Sequence, residues 1–277
     1  MTCAVITGFQ RSGTTVLGEW IGTSANVSYW GEIFHPDGLE HGPRAEALRL
    51  RPSANYFRFR RDVLSDEQRC AVPSILTRQE EWDSYQEVLE RLRPGAVHVL
   101  NVKYSSWHHL DSAWRNPSEA PHLVTLAVER GYPVFHCLRR NILAQALSES
   151  LALATDVWHV PTDFDPPLAA ATLPAVVDPA LLLRRMRTCV DDAQLYRKWL
   201  RPARSYELYY EELFETEGRL SAQAIAAIRG EIADWACAGE APLKKVGRDP
   251  RTSIANLEEL GEALSESEFA GLAREYL

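Results

Sequence analysis

Cysteine is sparse in this chain and never paired in sequence. Cys3, Cys70, Cys137, Cys189 and Cys237 are odd in number and contain no C-x-x-C, so their spacing supports neither a disulfide framework nor a zinc site. Cys3 and Cys137 fall in core-type runs, where a free thiol packs as a small hydrophobe. Long apolar runs are missing too, and with them any stretch able to cross a bilayer as a helix. The first residues carry no basic segment or cleavage signature, so no secretory leader is expected and a reducing cytoplasm is the simplest home. Positive charge is not in excess: 30 Lys and Arg face 38 Asp and Glu, a net charge of -8. That balance argues against bulk attraction to nucleic acid or anionic membranes, while leaving room for one local basic pocket. What remains is an ordinary composition, 45% hydrophobic and 25% charged over 277 residues, consistent with one domain spanning 1–277.

Short runs rich in β-formers at Cys3–Thr7, Val97–Val102, Val134–Leu138 and Tyr206–Tyr210 each precede a turn or a helical pattern. That alternation predicts a central parallel sheet flanked by helices, a three-layer α/β fold. Helices are predicted over Gly13–Thr23, Gln79–Leu92, His122–Arg130, Ile142–Ala154, Pro179–Leu200 and Ser221–Cys237. Residues 34–78 and 155–178, rich in Pro and arginine or in Pro alone, resist regular assignment. Segments that long are either lids and acceptor-site walls or tolerated insertions.

The first strand runs into Gly8-Phe9-Gln10-Arg11-Ser12-Gly13-Thr14-Thr15. This is nearly the G-x-x-x-x-G-K-[ST] phosphate loop, matched at Gly8, Gly13 and Thr15, with Thr14 in place of the lysine. Backbone N–H groups of Ser12 to Thr15 at a helix start suit an anion, and the hydroxyls of Ser12, Thr14 and Thr15 add donors. Arg11 supplies a planar fork for a phosphate or sulfate. Without the lysine, the loop is not built to hold a β,γ-phosphate pair with magnesium in the usual way, and no metal is expected.

A second constellation follows the run Val134–Leu138: Arg139-Arg140-Asn141, then Gln145 and Ser148. Arg140 stands at a strand's carboxyl end, where α/β sheets bind ligands, and Ser148 lies about 12 Å further along the helix. By itself the pattern fits a surface arginine pair as well as an anion site.

Together the two segments resemble the sulfotransferases that use 3′-phosphoadenosine 5′-phosphosulfate (PAPS), and their bacterial branch in particular, the trehalose and nodulation-factor type. The loop is similar to that family's 5′-phosphosulfate loop, and Arg140 through Ser148 to its 3′-phosphate motif. Leu208-Tyr209-Tyr210-Glu211-Glu212-Leu213 resembles the strand-ending segment whose tyrosine, here Tyr210, sits by the adenine. Leu243-Lys244-Lys245-Val246-Gly247-Arg248 is similar to the C-terminal basic loop, placing Lys244 and Lys245 near the nucleotide. The resemblance implies transfer of a sulfuryl group to a hydroxyl of a small-molecule, glycan or lipid acceptor, with Arg11 stabilising the sulfate and the leaving phosphate.

It also frames the search for a base. Animal members carry a Lys-Thr-His run; here it is Lys103-Tyr104-Ser105, so Ser105 stands at the histidine position and Lys103 remains to hold the sulfate. His108 and His109 follow, either reaching in or lying in a surface turn. In Trp30-Gly31-Glu32-Ile33-Phe34-His35-Pro36, Glu32 matches the leading glutamate of bacterial members and His35 the position of their base. Either Glu32 or His35 can serve as the base, the other binding the acceptor. Trp20, Trp30, Trp82 and Trp107 are available for stacking an acceptor or for core packing. A small-metabolite kinase, or a nucleotide-binding module without catalysis, is the alternative to this reading.

Overall fold

A computed structural model describes residues 2–65, 75–111, 119–155, 160–161, 174–215, 219–236, 243–244 and 253–276. In chain order the strands are β1 (Cys3–Gly8), β2 (Val27–Glu32), β3 (Val97–Lys103), β4 (Val134–Leu138), β5 (Val160–Pro161), β6 (Ser205–Tyr209) and β7 (Leu243–Lys244). Five of them form one all-parallel sheet in the order β2-β3-β1-β4-β6. The short β5 and β7 pair antiparallel, apart from it. The helices are α1 (Thr14–Ile21), α2 (Pro43–Ala47), α3 (Tyr56–Asp62), α4 (Ile75–Leu92), α5 (His122–Glu129), α6 (Ile142–Thr155), α7 (Pro179–Leu200), α8 (Tyr210–Leu213), α9 (Ala222–Glu231), α10 (Leu257–Ser265) and α11 (Ala270–Tyr276). Among the described residues, no helix is long and apolar enough to cross a membrane.

Side chains alternate across β1, so the sheet has a core on each face. Cys3 and Val5 pack with Trp82, Tyr85 and Leu89 of α4, Leu123 and Leu126 of α5, and Tyr196 and Trp199 of α7. Ala4 and Ile6 pack the other way, against Leu17, Trp20 and Ile21 of α1 and Ala224 and Ile228 of α9. A third cluster joins Leu143 and Leu147 of α6 to Leu182 and Met186 of α7 and Leu260 and Leu264 of α10. The three-layer α/β architecture expected from the sequence is therefore present. All six residues of β1 and all five of β4 are buried, as a strand covered on both faces requires. Burial pushes the Cys3 and Cys137 thiols up to about 12, so both are packing residues rather than nucleophiles.

The structure adds a strand the sequence did not mark, orders part of a segment that resisted assignment, and decides the open alternative for the tryptophans. The edge strand β2 has no strong apolar signature: Ser28 and Gly31 interrupt it, Gly31 lies at φ 69, and the pairing with β3 shifts between Tyr29 and Glu32. Within the described part of 34–78 the chain is not irregular, since Ala54, Tyr56 and Phe59 are buried in the core and α2, α3 and the 3₁₀ turns Pro36–Gly38 and Pro52–Ala54 order it. Trp20, Trp82 and Trp107 are fully buried and Trp30 nearly so, which assigns these tryptophans to packing. Of 155–178, only 155, 160–161 and 174–178 are described; there Ala175 bridges Ile254, and Asn256 holds the Val177 backbone through both its amide oxygen and nitrogen.

Beneath the sheet's carboxyl edge lies a buried polar chain. Thr7 Oγ1 donates to the Val102 carbonyl at 2.7 Å and accepts from Trp107 Nε1 at 2.8 Å. Next to it, Tyr104 and His136 Nε2 share a hydrogen bond, and Tyr104 stacks on Tyr196 with ring centroids 4.1 Å apart. Burial lowers His136 from the ordinary 6.5 to about 4, with Glu207 partly offsetting it. Above pH 6.5 both states are neutral at this residue, whereas between 6.5 and 4 only the unfolded chain takes the proton, so stability falls as the pH drops through that window. Urea unfolding at pH 7 and pH 4.5 is expected to show a loss on the order of 2 kcal/mol from this site. That loss should shrink in His136→Gln; an equal pH slope in the variant would assign it elsewhere.

Candidate active site

Strands β1 and β4 are neighbours, but their outgoing connections run to opposite sides of the sheet. A crevice at the carboxyl ends of such strands is the usual ligand position in open α/β sheets. Phe9, Ser12, Tyr104, Arg139, Ile142 and Gln145 line a small cavity there.

The loop after β1 is held by geometry that only glycine permits. A Cβ on Gly8 would lie 2.5 Å from the Cys137 carbonyl and 2.5 Å from Ser12 Oγ. Gly13 sits at φ 91, and a Cβ there would meet Tyr210 Cδ2 at 2.8 Å. Arg11 is left-handed as well, at φ 62, an uncommon conformation for a residue with a side chain. The Ser12 hydroxyl donates to the Phe9 carbonyl at 2.7 Å, so it stiffens the turn from within. Gln145 Nε2 donates to the Gln10 carbonyl at 2.7 Å, and Arg139 Nη1 to the Arg11 carbonyl at 3.2 Å. Three side-chain hydrogen bonds thus fix the loop backbone.

The two helix starts at this edge differ. α1 begins at Gly13 with no side-chain cap, leaving its first-turn N–H groups and dipole directed into the loop, with Thr14 and Thr15 buried in that turn. α6 is closed instead: Glu211 accepts from the Arg140 and Asn141 N–H groups at 3.1 Å each, and Asn141 Oδ1 accepts from Ala144 at 2.8 Å. An anion meets a carboxylate at α6 and open donors at α1.

Lys103, only 4% exposed at the end of β3, supplies an ammonium beside a loop whose own cation is the Arg11 guanidinium. Its Nζ donates to Thr14 Oγ1 and lies 3.4 Å from Glu32 Oε1 at the end of β2. Burying an ammonium is costly unless it is paired, and here the carboxylate and hydroxyl share that task. The lysine missing at position 14 is thus replaced in space by one from the neighbouring strand. His35, three residues beyond Glu32, caps the Pro36–Gly38 turn: its Nδ1 accepts from the Asp37 N–H at 3.2 Å. In the neutral ring this puts the proton on Nε2, making that nitrogen a donor.

Arg11 turns towards α6, where its Nε donates to Ser148 Oγ at 3.0 Å. Burial lowers its guanidinium below its ordinary value, with Tyr210 and Glu149 offsetting and Arg139 adding to the fall. Arg139 lies over the Tyr210 ring, 4.6 Å from its centroid, so Tyr210 backs both this arginine and Gly13. Arg140 faces outward, paired with Glu212 and 4.1 Å over the Tyr209 ring. The structure therefore brings Arg11 and Ser148 together, and Lys103, Glu32 and Thr14 together. It puts Arg139, rather than Arg140, against the loop; adjacent arginines at a strand end project to opposite sides, and sequence alone does not say which faces in. His108 Nδ1 pairs with Asp111 at 2.6 Å, and His109 stacks on Phe34. Lys244 is placed only by its backbone in β7, and Lys245 lies outside the described residues. Among the described residues, no group of three or more His, Cys, Asp or Glu side chains is gathered as for a metal ion.

No protein-family model matches this chain, and no curated protein matches it significantly.

Because the obstacle at Gly8 is sheet backbone rather than a movable side chain, Gly8→Ala is expected to cost about 2 kcal/mol or more. Denaturant unfolding measures it. An unchanged midpoint would show that the loop can retreat from β4.

Proposed function

We propose that the chain is a sulfotransferase moving the sulfuryl group of PAPS to a hydroxyl of a small-molecule, glycan or lipid acceptor. The observation that carries this reading is the pairing of Lys103 with both Thr14 and Glu32 at the mouth of an uncapped phosphate loop. A nucleotide triphosphatase lysine extends from within its loop; this one comes from β3 together with a carboxylate suited to a hydroxyl proton.

In the proposed reaction the acceptor oxygen bonds to sulfur as the bridging bond from sulfur to the 5′-phosphate oxygen breaks. The hydroxyl proton goes to the base, the bond's electron pair leaves on the phosphate, and the products are a sulfate ester and adenosine 3′,5′-bisphosphate. The chain's part is positioning and electrostatics, as in phosphoryl transfer. The α1 N–H groups hold the 5′-phosphate, and Lys103 and Arg11 balance the charge that grows on the bridging and sulfuryl oxygens. Glu32 is the proposed base. His35, whose Nε2 carries the proton, donates to the acceptor and orients it. Following the resemblance, Tyr210 lies at the adenine side, and Arg140, Ser148, Lys244 and Lys245 belong to the 3′-phosphate side.

Two measurements test this. Adenosine 3′,5′-bisphosphate is expected to raise the thermal midpoint, and magnesium-ATP is not; the reverse ranking would favour a kinase. In labelled-sulfate transfer from PAPS to a hydroxyl-compound panel, Glu32→Gln is expected to lower kcat about 100-fold or more. His35→Ala is expected to act mainly on the acceptor KM. Full turnover by Glu32→Gln would remove Glu32 as the base, and transfer to no acceptor by the unaltered protein would count against the activity itself.

A further inference from the structure

Glu32 meets Lys103 only because β2 carries one extra residue. Val27, Ser28 and Tyr29 pair in step with Val97, His98 and Val99, but the next pair is Glu32 with Asn101, three residues on along β2 and two along β3. Paired residues of neighbouring strands point to the same face, and successive residues alternate. Tyr29 and Val99 pack with α1, whereas Leu100 and Val102 pack with α4. Asn101, Lys103 and Glu32 therefore share the α1 face, where Lys103 meets Thr14. In unbroken register Glu32 would pair with Val102 and turn its carboxylate into the α4 core, because a slip of one residue reverses every side chain.

The bulge is held on two sides. Gly31 lies at φ 69 with the Arg49 carbonyl 3.2 Å from where a Cβ would stand, and Arg49 and Arg51 are both tied to Glu19 of α1, at 3.0 and 3.3 Å. On the α4 side, Trp30 reaches back along β2, and its indole Nε1 donates to His98 Nδ1 at 2.9 Å with the two rings stacked 5.9 Å apart. His98 is fully buried and takes no part in the proposed reaction. An indole N–H can only donate, so Nδ1 is the acceptor and the ring proton sits on Nε2, directed at Glu90 Oε2 3.2 Å away. Glu90 Oε1 accepts in turn from the Gly95 N–H at 2.7 Å, which joins the chain of bonds to the turn before β3. Burial lowers His98 below its ordinary value, with Glu90 offsetting, which keeps the ring neutral and Nδ1 an acceptor.

We propose that His98 is a positioning residue for the transfer reaction: by accepting the Trp30 indole hydrogen it pins the β2 bulge and keeps the Glu32 carboxylate on the Lys103 face. The assignment rests on the reading of Glu32 as the base. His98 lies on the opposite face of β3 from Lys103, so it acts through Trp30 and the Gly31 backbone rather than on the reacting groups. Without it the buried indole donor is unmet, the bulge loses its anchor on the α4 side, and the carboxylate is free to leave Lys103. The grip on the nucleotide belongs to the α1 loop and does not depend on this bond.

In the full chain, His98→Leu is expected to lower kcat for labelled-sulfate transfer about tenfold, with the PAPS KM and the affinity for adenosine 3′,5′-bisphosphate unchanged. His98→Asn sets an amide oxygen where Nδ1 stood and is expected to recover kcat to within about threefold. In the Glu32→Gln background, His98→Leu is expected to cost nothing further, since both act through one carboxylate. A crystal structure of His98→Leu is expected to show the Glu32–Lys103 separation, 3.4 Å in the unaltered protein, beyond about 4 Å. Should His98→Leu fail to fold, Trp30→Phe removes the donor and keeps an aromatic ring, and the same losses are expected from it. An unchanged kcat, an equal loss in His98→Leu and His98→Asn, a full further loss in the Glu32→Gln background, or an unmoved Glu32 overturns the assignment. If the unaltered protein transfers no sulfate but Glu32 leaves Lys103 in the variant, the activity reading fails and the role of His98 in placing Glu32 stands.

Discussion

The close approach of the loop to β4 governs this edge of the molecule. With the Cys137 carbonyl 2.5 Å from where a Cβ on Gly8 would stand, the backbone leaving β1 has one path, over the end of β4. That path forces Arg11 and Gly13 into left-handed conformations and starts α1 without a side-chain cap. It also puts Gly13 against Tyr210, so α8 and the end of β6 are fixed by the same turn. Local strain of this kind persists only where the surroundings hold it. Here the Arg139, Gln145 and Ser12 hydrogen bonds to loop carbonyls do so.

Charge is distributed around this turn with little redundancy. Glu211 closes α6 while α1 stays open, which directs an anion to one helix start and away from the other. Lys103 is buried and shared between Glu32 and Thr14, so the cation, the carboxylate and the loop are mechanically one unit. Rigid strands carry the charged pair, since Lys103 ends β3 and Glu32 ends β2. Positions on strands vary less than positions on loops, which suits a reaction that depends on alignment.

Much of the fold was legible because its signals are local. β1, β3 and β4 are short, continuous and apolar, and α7 spans Pro179–Leu200 as its period and its first-turn proline indicate. β2 escaped notice because an edge strand with a bulge and Gly31 lacks the apolar run that marks a central strand. Residues 34–65 looked irregular because their aromatics follow no single period. They are buried one by one against α4 and the 3₁₀ turn Tyr104–Leu110, as Tyr56 against Trp82 and Phe34 against His109 show. At this edge the glycine-spaced loop was readable from spacing, Ser148 entered only through the resemblance, and the contact of Arg139 with the loop was masked by Arg140 beside it.

By itself the sequence determined the α/β class, the glycine-spaced loop after β1 and the residue types available around it. Glycine spacing and hydrophobic period are properties of neighbouring residues, and they act before any long-range contact forms. The tertiary structure decided which charges meet. Lys103 and Thr14 are 89 residues apart, and Arg11 and Ser148 are 137 apart. No local rule joins such pairs; parallel register does, because β1 aligns Gly8 with Lys103 on one side and with Cys137 on the other. The missing lysine of the loop was visible in the sequence, but its replacement from the next strand was a consequence of the sheet.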